Sequence, residues 1–140
     1  MGKIDYREIE DLQGQVSSHY NSISKATATI SSIDAKLAKL RSAKQSVGNI
    51  RSEIHEIKIS VMVQDDQPQW KGQQKENFGH QWEGFRQDFS ACQRELDAFH
   101  DAICDEITRL ENQKLDQQSF IGWCQAQINN LGNFIEKLLN

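Results

Sequence analysis

The chain has 140 residues, a formal net charge of −4 and a hydrophobic fraction of 37%, with one proline and eight glycines. This length suits a single domain, and the composition favours long helices that bury a narrow apolar stripe over a globule with a thick core. The acidic balance argues against a broad surface for nucleic acid or anionic lipid, and no segment approaches the roughly 18 apolar residues of a membrane span. We therefore expect no nucleic-acid partner and no membrane insertion.

The first arm, about residues 4–63, carries apolar residues at two positions of a seven-residue repeat. Spacings of three and four residues over so many turns predict a coiled-coil-like helix. The two series are Ile9, Val16, Ile23, Ile30 and Leu37, and Leu12, His19, Ala26, Ile33, Leu40, Val47, Ile54 and Val61. Beyond Leu40 the first series becomes polar, at Lys44 and Arg51. The expected replacement is a neighbouring stripe made of Ala43, Ile50 and Ile57.

A bend is predicted at about residues 64–71, around the single proline, Pro68. Proline removes a backbone donor and pushes the residue before it towards extended geometry, so a helix does not continue through this segment. Asp65 or Asp66 could accept hydrogen bonds from amides of the turn or cap the helix that follows.

The second arm, about residues 72–138, repeats the seven-residue pattern with bulkier side chains. One position gives Trp82, Phe89, Leu96, Ile103, Leu110, Gln117, Cys124, Leu131 and Leu138. The expected companions are Phe78, Phe85, Cys92 and Phe99, followed by Ile107, Ile121, Ile128 and Ile135. The second arm is therefore also predicted to be a long helix with a buried seam.

A short bend between two long helices requires the arms to fold back as an antiparallel hairpin, which we interpret as one helical-hairpin domain over residues 1–140. Residues 1–63 carry nine basic against seven acidic side chains, and residues 64–140 carry seven against thirteen, so arms of +2 and −6 attract each other weakly. Two helices leave one flank of each stripe exposed to water, and the aromatic residues around or beside the seam are Phe85, Phe120, Trp123 and Phe134. We therefore expect a second hairpin to complete a four-helix bundle, as a homodimer or a heterodimer.

A tryptophan, one spacer and a glycine, Trp70-Lys71-Gly72, follow the proline. Trp70 can bury its ring at the mouth of the hairpin, and Gly72 lets another backbone approach where a β-carbon would collide. From the residues alone, a tryptophan that only staples the bend is an open alternative. A second match, Trp82-Glu83-Gly84, lies within the heptad pattern, so Trp82 is interpreted as a core residue.

This motif between two long helices resembles the WXG-type proteins of type VII (ESX) secretion. The whole chain, with an aromatic helix from about Phe78, is most similar to the YwqH-like proteins, small helical products associated with LXG toxins in Gram-positive bacteria. The resemblance implies a non-enzymatic adaptor or chaperone that binds the helical targeting domain of an LXG-type toxin and supports its export. The alternative is a structural coiled-coil scaffold that associates with itself and has no role in secretion.

Aromatic anchors dominate the energetics of protein interfaces, so the candidates for partner contact lie on the second arm near the bend. They are Phe78, Trp82, Phe85 and Phe89, beside the motif residues Trp70 and Gly72. The partner is expected to be an LXG-type toxin or another helical-hairpin protein, with a homodimer as the alternative.

The N-terminus lacks the apolar core of a signal peptide. The Tyr-x-x-x-Asp/Glu export signal of WXG-type proteins is not found after the second arm, and the one literal match, Tyr6 to Glu10, precedes the first. We therefore expect a cytoplasmic protein that stays inside the cell or is exported by type VII secretion with a partner that supplies the signal.

Catalytic and metal-binding patterns are missing from the sequence, since it has no phosphate-binding glycine loop, nucleophile motif or zinc-type cysteine pair. We expect no enzyme activity, no cofactor and no metal site. His100 and Cys104 lie one turn apart, but a metal site would need further convergent ligands, so an exposed acidic helix face is the preferred interpretation. The cysteines show no pairing pattern and are interpreted as structural thiols; they are Cys92, Cys104 and Cys124.

Overall fold

The structure is a computed structural model that describes residues 5–63 and 72–140, in which two long helices pack as a hairpin. Helix α1 spans Tyr6–Val63 and helix α2 spans Gln73–Leu139, and the described residues form no strand. The predicted all-α hairpin is therefore confirmed. The bend, with Pro68, Trp70 and Lys71, lies outside the described residues.

Both helices begin at residues whose chemistry suits a helix start. Oδ1 of Asp5 accepts hydrogen bonds from the backbone N–H of Arg7 at 3.1 Å and of Glu8 at 3.2 Å. An N-terminal cap of this kind is worth about 1 kcal/mol, because it satisfies amides that have no partner within the helix. Before α2, Gly72 adopts a φ of 70°, and its carbonyl oxygen accepts a hydrogen bond from the N–H of Glu76 at 3.2 Å. A glycine makes this left-handed start possible without a β-carbon clash.

Contacts divide the hairpin into two units, of which the terminal unit combines residues 5–38 with residues 108–140. Its two most deeply buried side chains, Leu37 and Cys124, are 1% and 0% exposed. The remaining buried residues of this unit are Ile9, Ala26, Ile33 and Leu110. Nζ of Lys114 lies 2.7 Å from Oδ1 of Asp34, which joins the two helices antiparallel across the edge of this core.

The central unit, within residues 39–107, has a thinner core. Its buried hydrophobic residues are Val47, Ile103 and Ile107. Two polar contacts also join its helices: Nε of Arg51 lies 2.8 Å from Oδ1 of Asp97, and Nζ of Lys58 donates to Oε1 of Gln93 at 3.4 Å. In these contacts too, residues later in α1 pair with residues earlier in α2, as in an antiparallel pair of helices.

The seam of α1 is confirmed up to Leu40, because every member of both predicted series is buried or half-buried. Beyond Leu40 the predicted replacement stripe holds at Ala43, which is half-buried while the neighbouring Lys44 is exposed. Further along the helix it is wrong, since Ile50 and Ile57 are 44% and 52% exposed. The original series resumes there through half-buried Arg51 and Lys58, whose aliphatic stems lie in the seam while their charged ends reach α2.

The seam of α2 differs from the prediction near the bend. Phe85 and Phe99 are 47% and 56% exposed, and Cys92 is exposed, so these predicted companions do not lie in the core. Half-buried Gln93 and His100 occupy the adjacent inward position instead. Because Gln93 meets Lys58 across the helices, a polar contact fills the seam and the phenylalanines lie on its outer flank. From Ile103 to Leu138, every predicted apolar seam position is buried or half-buried.

Candidate partner interface

The aromatic residues near the start of α2 form a continuous ladder of ring contacts. Phe78 stacks on Trp82 with centroids 6.0 Å apart, Trp82 on Phe85 at 5.7 Å, and Phe85 contacts Phe89 at 5.7 Å. Their spacing of four, three and four residues places successive rings one turn apart on one side of the helix. We call these four residues the aromatic ladder. The structure thus brings together the four candidates for partner contact, while Trp70 lies outside the described residues and Gly72 precedes the helix.

The ladder is only partly covered by the hairpin itself. Phe78, Trp82 and Phe89 are half-buried, whereas Phe85 is exposed. Contiguous exposed apolar surface on a helix is typical of an interaction site, and aromatic side chains are the commonest anchors there. The ladder therefore has the chemistry of a docking surface, which remains a prediction for these residues.

A cavity of about 80 Å³ lies between the helices beside the ladder. Its walls come from α1 and α2 of the central unit and are formed by Lys58, Val61, Trp82, Phe85, Arg86, Phe89 and Ser90. The indole Nε1 of Trp82 is enclosed and has no hydrogen-bond acceptor in the part of the chain that the structure describes. An enclosed donor of this kind costs about 1–3 kcal/mol, because it gives up water without gaining another acceptor.

Two positive charges flank this cavity, and their partners within the hairpin hold them weakly. Nζ of Lys58 reaches the neutral Gln93 at 3.4 Å, near the limit of a hydrogen bond. Nη1 of Arg86 lies 3.9 Å from Oε2 of Glu83, and both side chains are about half exposed. An exposed ion pair at that distance contributes little, so the cavity edge is a basic spot on an acidic protein.

The terminal unit carries its own exposed aromatic residues, which were expected on the exposed flank of the seam but were not among the candidates for partner contact. Phe120, Trp123 and Phe134 are 41%, 53% and 48% exposed. Trp123 stacks on Phe120 with centroids 6.1 Å apart and meets His19 edge-on at 5.5 Å. The sequence contains a signal for two of them, because Phe120 and Phe134 are separated from Phe78 by multiples of seven. They therefore share the heptad position that also holds Phe85 and Phe99.

His100 and Cys104, the pair considered as metal ligands from the sequence, lie close together on α2. Sγ of Cys104 lies 3.8 Å from Nδ1 of His100, but the described residues form no group of three or more metal-ligating side chains. None of the described helices has a stretch long and apolar enough to cross a membrane.

Comparison with known families places these features in context. The YwqH-like family model matches residues 14–133, which include most of both seams, the whole aromatic ladder and all the residues that line the cavity. The chain belongs to the YwqH-like family. No curated protein matches this YwqH-like chain significantly.

Proposed function

We propose that this YwqH-like protein is a non-enzymatic adaptor of type VII secretion. It binds the helical targeting domain of an LXG-type toxin in the cytoplasm and supports the export of that toxin. The toxin's helices complete a four-helix bundle with the hairpin, in the way that an amphipathic helix covers an apolar groove. Family membership supports this proposal, together with the resemblance of the Trp70-Lys71-Gly72 motif to WXG-type proteins.

The observation that carries the proposal is the distribution of aromatic side chains. Phe85 and Phe99 in the central unit, and Phe120, Trp123 and Phe134 in the terminal unit, are each at least 41% exposed. The buried core consists of small and medium aliphatic side chains and one cysteine. A hairpin that leaves these five large aromatic side chains at the surface is suited to burying them against another protein.

A structural scaffold is the second candidate, since a second copy of the chain could also cover exposed aromatic side chains. The two candidates differ in what Trp70 does. In an adaptor, the motif contributes to capture or presentation of the toxin, whereas in a scaffold it only staples the bend.

The test is toxin export from a Gram-positive host that carries the toxin and its type VII apparatus. Deleting the gene for this chain should abolish the toxin in the culture supernatant, and the wild-type chain should restore it. Trp70→Ala should restore much less, while the purified variant keeps its helix content by circular dichroism. Lys71→Ala is the matched control and should restore export fully. Normal export without the chain would refute the adaptor role, and equal export with both variants would remove the motif from it.

A further inference from the structure

One flank of the central unit is an open polar groove between the two helices. Its lining includes residues that directly follow a buried or half-buried position of either helix, namely Gly48, His55, Ser90 and Asp97. The groove also holds the ion pair between Arg51 and Asp97. Equivalent positions of the two helices therefore share a flank, as expected for an antiparallel pair. We call this side the polar flank.

The opposite flank of the central unit is apolar. Residues that directly precede an inward-facing position lie on the other side of the seam from residues that follow one, because each step turns the helix by about 100°. The inward-facing polar residues of the central seam are Arg51, Lys58, Gln93 and His100. The positions before them, and the position one heptad before Cys92, hold five exposed residues: Ile50, Ile57, Phe85, Cys92 and Phe99. We call these five residues the apolar flank.

Acidic side chains border the apolar flank on both helices. On α1, Glu53 lies one turn from both Ile50 and Ile57. Asp88 and Glu95 occupy the equivalent position on α2, each one turn from Cys92. All three carboxylates are exposed, and they form no ion pair within the part of the chain that the structure describes. The apolar flank therefore has negative edges whose charges the described hairpin leaves unpaired.

We infer that the apolar flank is the docking surface for a helical surface of the toxin whose apolar stripe is edged by Lys or Arg side chains. The stripe covers the exposed rings and isoleucines. The basic edge pairs with Glu53, Asp88 and Glu95. This inference rests on the proposed adaptor function and names both the face of the hairpin that binds and the chemistry of the partner.

The size of the apolar flank suits the centre of a protein interface. Ile50, Ile57, Phe85 and Phe99 are 44–56% exposed. At roughly 200 Å² for each of these residues, they offer about 400 Å² of surface to a partner. Patches of about 300–600 Å² are often functional, and a standard interface takes about 800 Å² from each partner. The flank supplies about half of that area, and its acidic edges supply the polar surroundings that such a centre has.

The charges along the edges favour a basic partner over a second copy of the chain. A second copy that packed its own apolar flank here would bring the same acidic residues, whichever way it is turned. That pairing gains no ion pair at the edges and places like charges near one another. A helix edged by Lys or Arg gains attraction at Glu53 and on the α2 side at Asp88 and Glu95. The two occupants also differ in their response to salt, which weakens the attraction and relieves the repulsion.

The first test uses Cys92, an exposed thiol in the middle of the apolar flank, to report occupancy. The chain reacts with N-ethylmaleimide, and peptide mass spectrometry gives the labelling rate at each cysteine. The probes are two amphipathic peptides of three heptads with leucine stripes, one edged by lysine and one by glutamate. The lysine-edged peptide at saturation should slow Cys92 by about tenfold through loss of access, and the glutamate-edged peptide much less. Cys104 directly follows buried Ile103, on the side of the polar flank, and should keep its rate.

The second test measures the affinity for the LXG-type domain by isothermal titration calorimetry. Glu53→Lys should weaken binding by about 3- to 10-fold at low salt, because it replaces an exposed attraction with a repulsion. The loss should shrink at high salt. Glu56→Lys is the matched control, since Glu56 is an exposed glutamate of the same helix that lines the polar groove. It makes the same change in net charge and should leave the affinity nearly unchanged.

The outcomes separate this inference from the proposed function. If the toxin domain binds but Cys92 keeps its free labelling rate, the docking face is wrong and the adaptor role stands. If binding protects Cys92 but Glu53→Lys and Glu56→Lys bind equally, the face is supported and the basic edge is overturned.

Two further outcomes concern a chain that does not bind the toxin domain. If the lysine-edged peptide still protects Cys92, the chemistry of the flank is supported and its assignment to the toxin is overturned. If Cys92 instead becomes protected as the concentration of the free chain rises, and more strongly at high salt, a second copy covers the flank. That result overturns both the inference and the adaptor role.

Discussion

Phe85→Ala tests the exposed part of one side chain through partner binding and its covered part through the stability of the hairpin. Phe85 is 47% exposed, and its covered part contacts the rings of Trp82 and Phe89, each with centroids 5.7 Å away. For an aromatic side chain of roughly 200 Å² the exposed part is about 95 Å², and burying it against a partner is worth about 2.4 kcal/mol. We therefore expect Phe85→Ala to weaken the complex with the LXG-type domain by about 50-fold.

The covered part of Phe85 belongs to the hairpin, so the free protein should also lose stability. Roughly 105 Å² of covered surface corresponds to at most about 2.6 kcal/mol, and a compact unfolded chain reduces this to about 2 kcal/mol. Calorimetric titration measures the affinity, and urea unfolding followed by circular dichroism measures the stability of the free chain. Gln87→Ala changes an exposed residue two positions along the same helix and should leave both quantities unchanged. Equal affinities for the two variants would refute the ladder as a partner surface.

The remaining predictions concern the stability of the hairpin and are measured by thermal and urea unfolding. Leu37→Ala removes a side chain that is 1% exposed, which should cost about 2–5 kcal/mol and lower Tm by about 7–17 °C. Leu115→Ala, at a side chain that is 59% exposed, should change stability by no more than about 0.5 kcal/mol; similar losses in both would contradict the burial pattern. Gly72→Ala should destabilise by about 1–2 kcal/mol because φ is 70°. Gly132→Ala should stabilise by about 0.5–1 kcal/mol, since an added β-carbon meets open space within a helix; the same sign for both glycines would be inconsistent with their backbone conformations.

Heptad periodicity was sufficient to predict the hairpin and most of its seam. The series through Ile33 and Leu37 lies in the core because apolar residues spaced by three and four share one face of a helix. The same rule failed at Ile57 and Phe99, which are apolar and exposed. A chain that covers its own core and also binds another protein needs two apolar surfaces, and periodicity alone does not show which one faces inward.

The polar seam positions explain why the error fell in the central unit. Arg51 and Lys58 look like solvent-facing residues in the sequence, yet their stems lie in the seam and their ends meet Asp97 and Gln93. Long amphipathic side chains can occupy either environment, so composition does not settle their place. The candidate ladder residues could be predicted from the run of aromatic side chains that follows the bend, whereas the enclosed N–H of Trp82 depends on which neighbouring atoms surround one nitrogen. That property follows from the packing of the two helices.

The most direct measurement for the adaptor account is the mass of the protein in solution, alone and co-expressed with the LXG-type toxin domain. Light scattering coupled to size-exclusion chromatography gives both masses, and the chain alone weighs 16.1 kDa. The account predicts a stoichiometric complex with the toxin domain that replaces whatever weak self-association the free chain shows. A tight homodimer whose mass does not change in the presence of the toxin domain would contradict it and favour a structural scaffold.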